Sequence, residues 1–338
     1  LLVDRDTFPS DILSTHYIQP QGVAQMRSWG LLPALEATDC PPLEKTTFHL
    51  GDLAISPPRP PGMPPAYCPR RTVLDKILVD AAREAGAEVR EGFSVREVLI
   101  KDGRAVGVRG RAKGADADAV EHATIVVGAD GMHSMVARAV GAPSYHERPS
   151  YTCGYYTYWS GVEMEGAELY LGEGTGALAF PTNFGQVCVA VARAHAEFAE
   201  YRKDIEGNYL RWLEGTAPSL GAQVRAAKRE ERWVGTADVP NFFRKPYGPG
   251  WALVGDAGYH RDPVTGLGIM DAFRDAELVA TAIDDGLAGR APMEEALAAY
   301  EQQRNEAALP AYEVTCKLAS LPPREEVLAL FGGAPQPA

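Results

Sequence analysis

Short apolar runs occur at three widely separated places in the chain, at residues 1–3, 123–127 and 251–254. Continuous runs of this kind, without alternating polar positions, are typical of strands buried on both faces of a parallel sheet. An acidic residue follows each run within a few positions. We therefore predict three buried parallel strands that meet in one sheet although they lie far apart in sequence.

Apolar residues at helical spacing predict one helix over residues 74–85 and another over 269–283, and a glycine ends each of them. Two strand-like segments that turn at Asp102-Gly103 predict a β-hairpin over residues 93–110. Beyond the second helix, the pattern predicts one or two further helices and a frayed tail, residues 332–338.

The middle of the chain has a different pattern. Residues 150–240 alternate strand-like segments rich in Tyr, Val and Thr with a helical stretch near 195–214, which predicts a second, largely antiparallel layer. Residues 41–69 are rich in proline and predict loop or extended edge structure.

These patterns predict an α/β fold in which a Rossmann-like domain is assembled from distant segments around a β-rich insert. We expect three parts: a discontinuous nucleotide-binding domain, an inserted substrate domain, and C-terminal helices with a tail. Their residues are 1–40, 70–147 and 245–290 for the first part, 41–69 and 148–244 for the second, and 291–338 for the third.

Composition excludes several classes of protein. The formal net charge is −12, which disfavours a nucleic-acid or anionic-membrane partner because both require a basic face. No apolar run approaches the roughly 18 residues that span a bilayer. The 5 cysteines are scattered without metal-ligand spacing, so we expect reduced thiols, no metal and a cytoplasmic location.

Three strand ends carry candidate chemistry, of which the first is Asp4. In a dinucleotide-binding unit, an acid at the end of the second strand accepts hydrogen bonds from ribose hydroxyls about 20 residues after a glycine-rich turn. That turn does not precede Asp4 in this sequence. An ordinary strand-end aspartate is the alternative.

The second strand end is Gly128-Ala129-Asp130-Gly131, which leads into a predicted helix. Glycine lets the backbone approach a ligand closely, because it has no side chain in the way. A plain strand-to-helix turn remains the alternative.

The third strand end has the most specific pattern: Gly255-Asp256-Ala257, then Pro263, then Gly266-Leu267-Gly268 at the start of a helix. A carboxylate at the strand end can hold sugar-like hydroxyls. The glycines expose N–H groups at the positive end of the helix dipole, which can stabilise negative charge on a ligand.

Taken together, these motifs resemble the FAD-dependent monooxygenase superfamily with the p-hydroxybenzoate hydroxylase fold. The resemblance runs from residue 1 to about residue 320 and includes Arg71-Thr72-Val73-Leu74 as an Arg-x-x-Leu helix start. It implies FAD as cofactor. The cofactor contacts that it implies are Asp4, Arg5, Arg71, Val95, Asp130, Gly131, Gly255, Asp256, Pro263, Gly266, Leu267 and Gly268.

The departure from that family lies at the front of the sequence. The family's GxGxxG turn, with its strand and helix, would precede Leu1. We expect that this unit exists and is omitted from the sequence, because its loss would leave an unpaired strand edge in a parallel sheet. A truncated protein is the alternative.

The resemblance implies a hydroxylase cycle with NAD(P)H and O2 as co-substrates. NAD(P)H would reduce the FAD, and O2 would form a flavin C4a-hydroperoxide that oxygenates an apolar or aromatic small molecule. Candidate groups near the flavin are His260 and Arg261. Tyr155, Thr157 and Trp159 share one strand face and are candidates for the substrate pocket, with an aromatic core as the alternative.

Three functions remain open at this point: a flavin monooxygenase, a related flavin reductase, dehydrogenase or halogenase, and a non-catalytic nucleotide-binding protein. No Trp-x-Trp-x-Ile-Pro element occurs, which weakens the halogenase variant. The sequence does not predict the substrate, the oligomeric state, or a choice between NADH and NADPH.

Overall fold

The computed structural model describes residues 1–332 of the chain. The strands are β1 (Leu2–Val3), β2 (Thr46–Leu50), β3 (Leu53–Ile55), β4 (Val89–Arg90), β5 (Phe93–Lys101), β6 (Arg104–Ala112), β7 (Ala119–His122), β8 (Val126–Gly128), β9 (Ser144–Arg148), β10 (Thr152–Ser160), β11 (Ala167–Gly172), β12 (Thr175–Pro181), β13 (Val187–Ala194), β14 (Lys228–Arg229), β15 (Val234–Thr236), β16 (Asn241–Arg244), β17 (Tyr247–Gly248), β18 (Trp251–Leu253) and β19 (Tyr259–His260). The helices are α1 (Pro20–Ser28), α2 (Leu32–Glu36), α3 (Arg71–Glu84), α4 (Met135–Ala139), α5 (Phe198–Tyr201), α6 (Ile205–Thr216), α7 (Pro218–Ala226), α8 (Gly268–Leu287), α9 (Met293–Ala319) and α10 (Arg324–Gly332). The mixed α/β class predicted from the sequence is confirmed.

Parallel pairing joins segments that are far apart in sequence. Strand β1 pairs with β4, and β8 pairs with β18, both in parallel. In the described residues Leu1 and Leu2 are 59% and 37% exposed, so the burial predicted for the first strand is not seen there. Among the strands within residues 1–332, β1 is hydrogen-bonded to β4 alone.

A large, mainly antiparallel sheet forms the second layer, in the strand order β14-β10-β13-β12-β11-β2-β3, with β15 also paired to β10. Strands β2 and β3 lie inside the proline-rich segment, and β2 joins the sheet by parallel pairing with β11. Helices α5 to α7 pack on one face of this sheet. We call this face the helix face.

The well-patterned elements lie where the sequence predicts them. Helix α3 ends at Glu84, and Gly86 follows with a φ of 92°. Strands β5 and β6 form the predicted antiparallel hairpin, with Gly103 at a φ of 76° in its turn. Helix α7 was not predicted, because Pro218 and Gly221 disguise its periodicity. The predicted tail lies mostly outside the described residues.

Helix α9 braces the turn that follows β18. The Tyr300 hydroxyl donates to the Leu253 carbonyl at 2.8 Å. The fully buried Arg304 donates to the carbonyls of Gly258 and Arg244, at 3.2 and 3.1 Å. These bonds tie α9 to backbone carbonyls on both sides of the turn. No helix within residues 1–332 combines the length and the apolar content that crossing a membrane requires.

Candidate functional site

Two of the three predicted strand ends meet side by side. The parallel register of β8 and β18 sets Gly128 opposite Leu253, and the Val254 N–H donates to the Gly128 carbonyl at 3.0 Å. Because the carboxyl ends of parallel strands meet at one edge, the turns that carry Asp130 and Asp256 lie next to each other.

Arg244 holds these two turns together. Its guanidinium donates to the carbonyls of Ala257 at 2.9 Å and Met132 at 3.0 Å, one from each turn. It lies 4.0 Å above the ring of Phe242, and burial lowers its pKa. No motif marked Arg244 in the sequence, since it lies on a short strand between the two predicted domains.

Asp130 is engaged in local structure. Its carboxylate accepts from the Ser134 hydroxyl at 2.5 Å and from the backbone N–H groups of Met135 and Val136 at 2.7 and 3.1 Å. These bonds satisfy orphan donors at the start of α4. Asp130 therefore shapes the turn. Its carboxylate is engaged in the way expected of an ordinary strand-to-helix turn, which is the alternative considered for this motif.

Asp256 lies in a concave place. The residue is exposed to solvent, yet burial of its carboxyl by surrounding protein raises its pKa, while His260 and Arg71 lower it. A group that reaches solvent and is still surrounded by protein lies in a cleft. We call this cleft, between Asp256 and the start of α8, the strand-end cleft.

Two glycines leave open space at this edge. A Cβ at Gly131, whose φ is 77°, or at Gly268, the first residue of α8, would meet no atom within 4 Å. By contrast, a Cβ at Gly266 would lie 3.3 Å from the Cβ of Tyr17. The first turn of α8 offers N–H groups that have no partners within the helix, at the positive end of its dipole. Gly255 adopts a φ of 57° just before Asp256, and Pro263 is exposed in the loop that leads to Leu267.

The first strand end lies beside the hairpin. The Phe93 N–H donates to the Asp4 carbonyl at 2.7 Å, which places Val95 two residues further along β5. The Asp4 carboxylate accepts from the Asp6 N–H at 2.8 Å. The side chain of Arg5 is 81% exposed.

Arg71 begins α3 and forms a two-point ion pair with Asp75, at 2.8 and 2.9 Å. Both Asp4 and Arg71 act on the pKa of Asp75, and Arg71 also acts on that of Asp256. Asp4 and Arg71 therefore lie near Asp75, and Arg71 also lies near Asp256.

His260 is fixed in orientation. Its Nδ1 hydrogen-bonds to the carbonyl of Pro240, and its ring stacks on Phe242 with centroids 5.9 Å apart. Because a carbonyl only accepts, Nδ1 carries the proton, and in the neutral ring Nε2 is left as an acceptor. The influence of His260 on the pKa of Asp256 places this ring near the strand-end cleft.

Arg261 lies elsewhere. It is 6% exposed and is paired with the buried Asp271, which also accepts from the Tyr259 hydroxyl at 2.7 Å and from Arg274 at 2.8 Å. The predicted pair His260 and Arg261 is thus divided: His260 bonds to Pro240, whereas Arg261, which follows the end of β19, bonds to Asp271.

Tyr155, Thr157 and Trp159 lie on the helix face of the large antiparallel sheet, on strand β10. Tyr155 packs against Tyr201 and Trp159 against Tyr209, with ring centroids 4.8 and 6.3 Å apart. Tyr155 and Trp159 pack in an aromatic core, which is the alternative considered for them, and the buried Thr157 donates to the Glu231 carbonyl. Two cavities of about 360 and 390 Å³ open beside the large antiparallel sheet, and none of the strand-end motif residues lines either of them.

The arrangement fits an extended dinucleotide. The strand-end cleft offers a carboxylate for hydroxyl groups, glycine positions without a blocking side chain, and a helix N-terminus for negative charge. The ring of His260, fixed through Nδ1, lies nearby. FAD carries a pyrophosphate, a ribityl chain and a ring that gains negative charge on reduction, so its chemistry matches these groups.

Comparison with known proteins also concerns FAD binding. Residues 1–314 match the family described as FAD binding domain. A digeranylgeranylglycerophospholipid reductase of Methanocella arvoryzae is 27% identical over 243 residues, which cover 70% of this chain and 59% of the reductase. A reductase of the same name from Methanopyrus kandleri is 32% identical over 215 residues, 60% of this chain and 52% of the reductase. The chain thus spans less than two thirds of the length of these relatives.

Solved structures share the fold. The flavin-dependent brominase Bmp2 gives a TM-score of 0.84 at 18% identity and covers 98% of this chain and 86% of its own. PqsL, a probable FAD-dependent monooxygenase from Pseudomonas aeruginosa, gives 0.81 at 21% identity, with 98% and 92% covered. The myxobacterial chondrochloren halogenase CndH gives 0.84 at 23% identity, with 93% and 75% covered. The chain belongs to the family described as FAD binding domain.

Proposed function

We propose that the protein is an FAD-dependent monooxygenase that uses NAD(P)H and O2 to oxygenate an apolar or aromatic small molecule. The observation that carries the proposal is the parallel pairing of β8 with β18, which sets two strand-end turns beside one cleft. The monooxygenase fold of PqsL supports this choice at the level of the fold.

The residues of this chain would bind and orient the cofactor. Asp256 would accept hydrogen bonds from hydroxyls of the cofactor, and the first turn of α8 would stabilise negative charge on it. Bound FAD supplies the electron transfer and the oxygen chemistry. His260 Nε2, as a fixed acceptor, would hold a proton-bearing group of the cofactor or substrate in the cleft.

Reduction of a carbon–carbon double bond without O2 is the second candidate. The curated relatives named above support it, since their names describe prenyl-lipid reductases. Under this alternative the same cleft would hold the cofactor, and the substrate would be a longer apolar chain. A halogenase remains a weaker variant, supported by the brominase and halogenase folds.

The test is a measurement of NADH and NADPH oxidation by the purified yellow protein, with and without O2 and with candidate substrates. Oxygen incorporated into product, with NAD(P)H consumed in equal amount, supports the monooxygenase. A saturated product formed equally well without O2 would replace it with the reductase. A colourless protein that ignores added FAD would remove both.

A matched pair of variants tests the site itself. Asp256→Asn removes the charge in the cleft, and we expect FAD binding to weaken by about tenfold or more. Asp284→Asn, on the far end of α8 where the side chain is 73% exposed, is the control and leaves FAD binding unchanged.

A further inference from the structure

A polar cluster, buried except at Asp11 and partly at Tyr156, lies on the other face of the large antiparallel sheet, opposite the helix face. It consists of Asp11, His16, Arg70, Tyr156 and Tyr158, and we call it the Arg70 cluster. Arg70 is 4% exposed, Tyr158 is 1% exposed, and His16 is fully buried. None of these residues belongs to a motif, and the proposed function gives none of them a role.

His16 and Tyr158 form a directional pair. His16 Nδ1 lies 2.8 Å from the carbonyl of Ser14, which can only accept, so Nδ1 carries the proton. In the neutral ring, Nε2 is then the acceptor, and the Tyr158 hydroxyl donates to it. Burial lowers the pKa of His16 to about 4, so the ring is neutral at neutral pH and this direction is fixed.

Arg70 joins three parts of the chain at one point. Its guanidinium carbon lies 3.7 Å above the ring of Tyr158 on β10, and Nη2 donates to Asp11 at 2.8 Å. Nη1 donates to Gln186 at 3.2 Å, and the backbone N–H donates to the Asn183 side chain at 2.9 Å. A planar guanidinium can stack and donate in several directions at once, which a lysine cannot do.

The same residue is the N-cap of α3. The Arg70 carbonyl accepts from the N–H groups of Val73 and Leu74, at 2.9 and 3.0 Å, so Arg70 caps the helix whose first residue is Arg71. Arg71 influences the pKa of both Asp256 and His16. The Arg70 cluster therefore links the large antiparallel sheet to the start of α3, where Arg71 lies.

We propose that Arg70 is a positioning residue. Tyr158 and His16 hold Arg70 on the large antiparallel sheet, and Arg70 in turn fixes the start of α3 so that Arg71 meets the cofactor. This inference rests on the proposed cofactor site, because it assigns Arg71 to that site. Arg70 acts through Arg71 and does not touch the cofactor.

A double-mutant cycle on FAD affinity tests the proposal without any turnover. We expect Arg71→Gln to raise the FAD dissociation constant about tenfold, and Arg70→Lys to raise it about three- to tenfold. If Arg70 acts through Arg71, the double variant stays within twofold of Arg71→Gln alone. Multiplied effects in the double variant overturn the proposal, and so does an Arg71→Gln variant with unchanged affinity.

Further variants keep the test informative if Arg70→Lys fails to fold. Tyr158→Phe removes only the hydroxyl and enters the same cycle with Arg71→Gln. His16→Gln places an acceptor where Nε2 lies and should keep wild-type affinity, whereas His16→Leu should match Tyr158→Phe. Equal loss in both His16 variants contradicts the assigned hydrogen bond and overturns the proposal.

Arg193→Lys is the matched control. Arg193 also stacks on an aromatic ring, 4.8 Å above Trp212, and pairs with Glu197 at 2.6 Å, but it lies on the helix face. Its replacement should leave FAD affinity unchanged, and an equal loss there would overturn the role of Arg70. If Asp256→Asn weakens binding while the Arg70 cycle is multiplicative, the proposed site stands and the positioning role falls.

Discussion

The two faces of β10 are made of similar residues and do different things. On the helix face, Tyr155 and Trp159 pack into an aromatic core with α5 and α6. On the opposite face, Tyr156 and Tyr158 are part of the polar Arg70 cluster. Both sets alternate along one strand, and both are rich in tyrosine.

The difference between these faces comes from what covers them. Helices that carry Tyr201 and Tyr209 exclude water from one face, so its residues are held by contact area. Segments around His16 and Arg70 cover the other face and bring charge, so its residues are held by hydrogen bonds in addition to apolar contacts with Phe180 and Cys188. The pattern of one strand therefore does not show which face lies towards a cofactor.

The largest expected effect on this comparison comes from Trp159→Ala. Trp159 is 4% exposed and packs in the core of the helix face, so we expect a loss of about 3–5 kcal/mol in the free energy of unfolding. Chemical denaturation measures this loss, and FAD titration of the folded protein should give an unchanged affinity. A variant of normal stability with impaired substrate binding would instead place Trp159 in a pocket.

The next largest effect is a pH dependence of the free energy of unfolding, which comes from His16 on the opposite face. The pKa of His16 is about 4 in the fold and 6.5 in the unfolded chain. The unfolded chain therefore binds a proton first as the pH falls. The contribution of His16 is complete above about pH 6.5 and is lost as the pH falls to about 4, by about 3 kcal/mol in the free energy of unfolding.

Denaturation across this range, with His16→Gln beside the wild type, measures that loss as a difference between the two curves. A difference is needed because burial raises the pKa of Asp275 to about 6, and that group acts in the opposite direction: its contribution is present below about pH 3.8 and is lost as the pH rises through 6. His122→Gln, at an exposed histidine, is the control and should follow the wild type. Parallel curves for His16→Gln and wild type contradict the prediction.

Thr157→Val should have a smaller effect, of about 1–2 kcal/mol, in the free energy of unfolding. The Thr157 hydroxyl donates to the carbonyl of Glu231 at 2.9 Å, and valine leaves that carbonyl without this partner. Unfolding curves give the loss, and a change in KM without loss of stability would argue for a substrate contact.

Tyr155→Phe should have the smallest effect, below about 0.5 kcal/mol in the free energy of unfolding, because the ring contacts with Phe198 and Tyr201 remain. Stability and kcat/KM should both match the wild type. A clear fall in kcat/KM would show that the hydroxyl takes part in function and that the two faces of β10 are not divided as described.

The sequence predicts those features that rest on local periodicity or on the logic of parallel strands. Helix α3 follows from its apolar spacing, and the meeting of the turns at Asp130 and Asp256 follows from two buried runs that end alike. The burial predicted for Leu1 is not seen in the described residues, where Leu1 is 59% exposed.

The residues that sequence reasoning missed lie where no period exists. His16 follows a loop, Arg70 precedes a helix, and Arg244 ends a short strand. Each acquires its contacts only when distant segments meet, as Arg70 does with Asp11 and Gln186. A buried charge needs partners, so two adjacent arginines at a helix start are the only local sign that one of them is enclosed.

The bonds from α9 have a consequence for how such a protein can change. Tyr300 and Arg304 reach back to the backbone on either side of the turn that carries Asp256, although they come some 50 residues later in the chain. Recombination that exchanges the end of the chain would therefore also exchange supports of the cleft. Sequence changes in α9 should accordingly be accompanied by changes in that turn. Changes in α5 to α7 need no such partner in the turn.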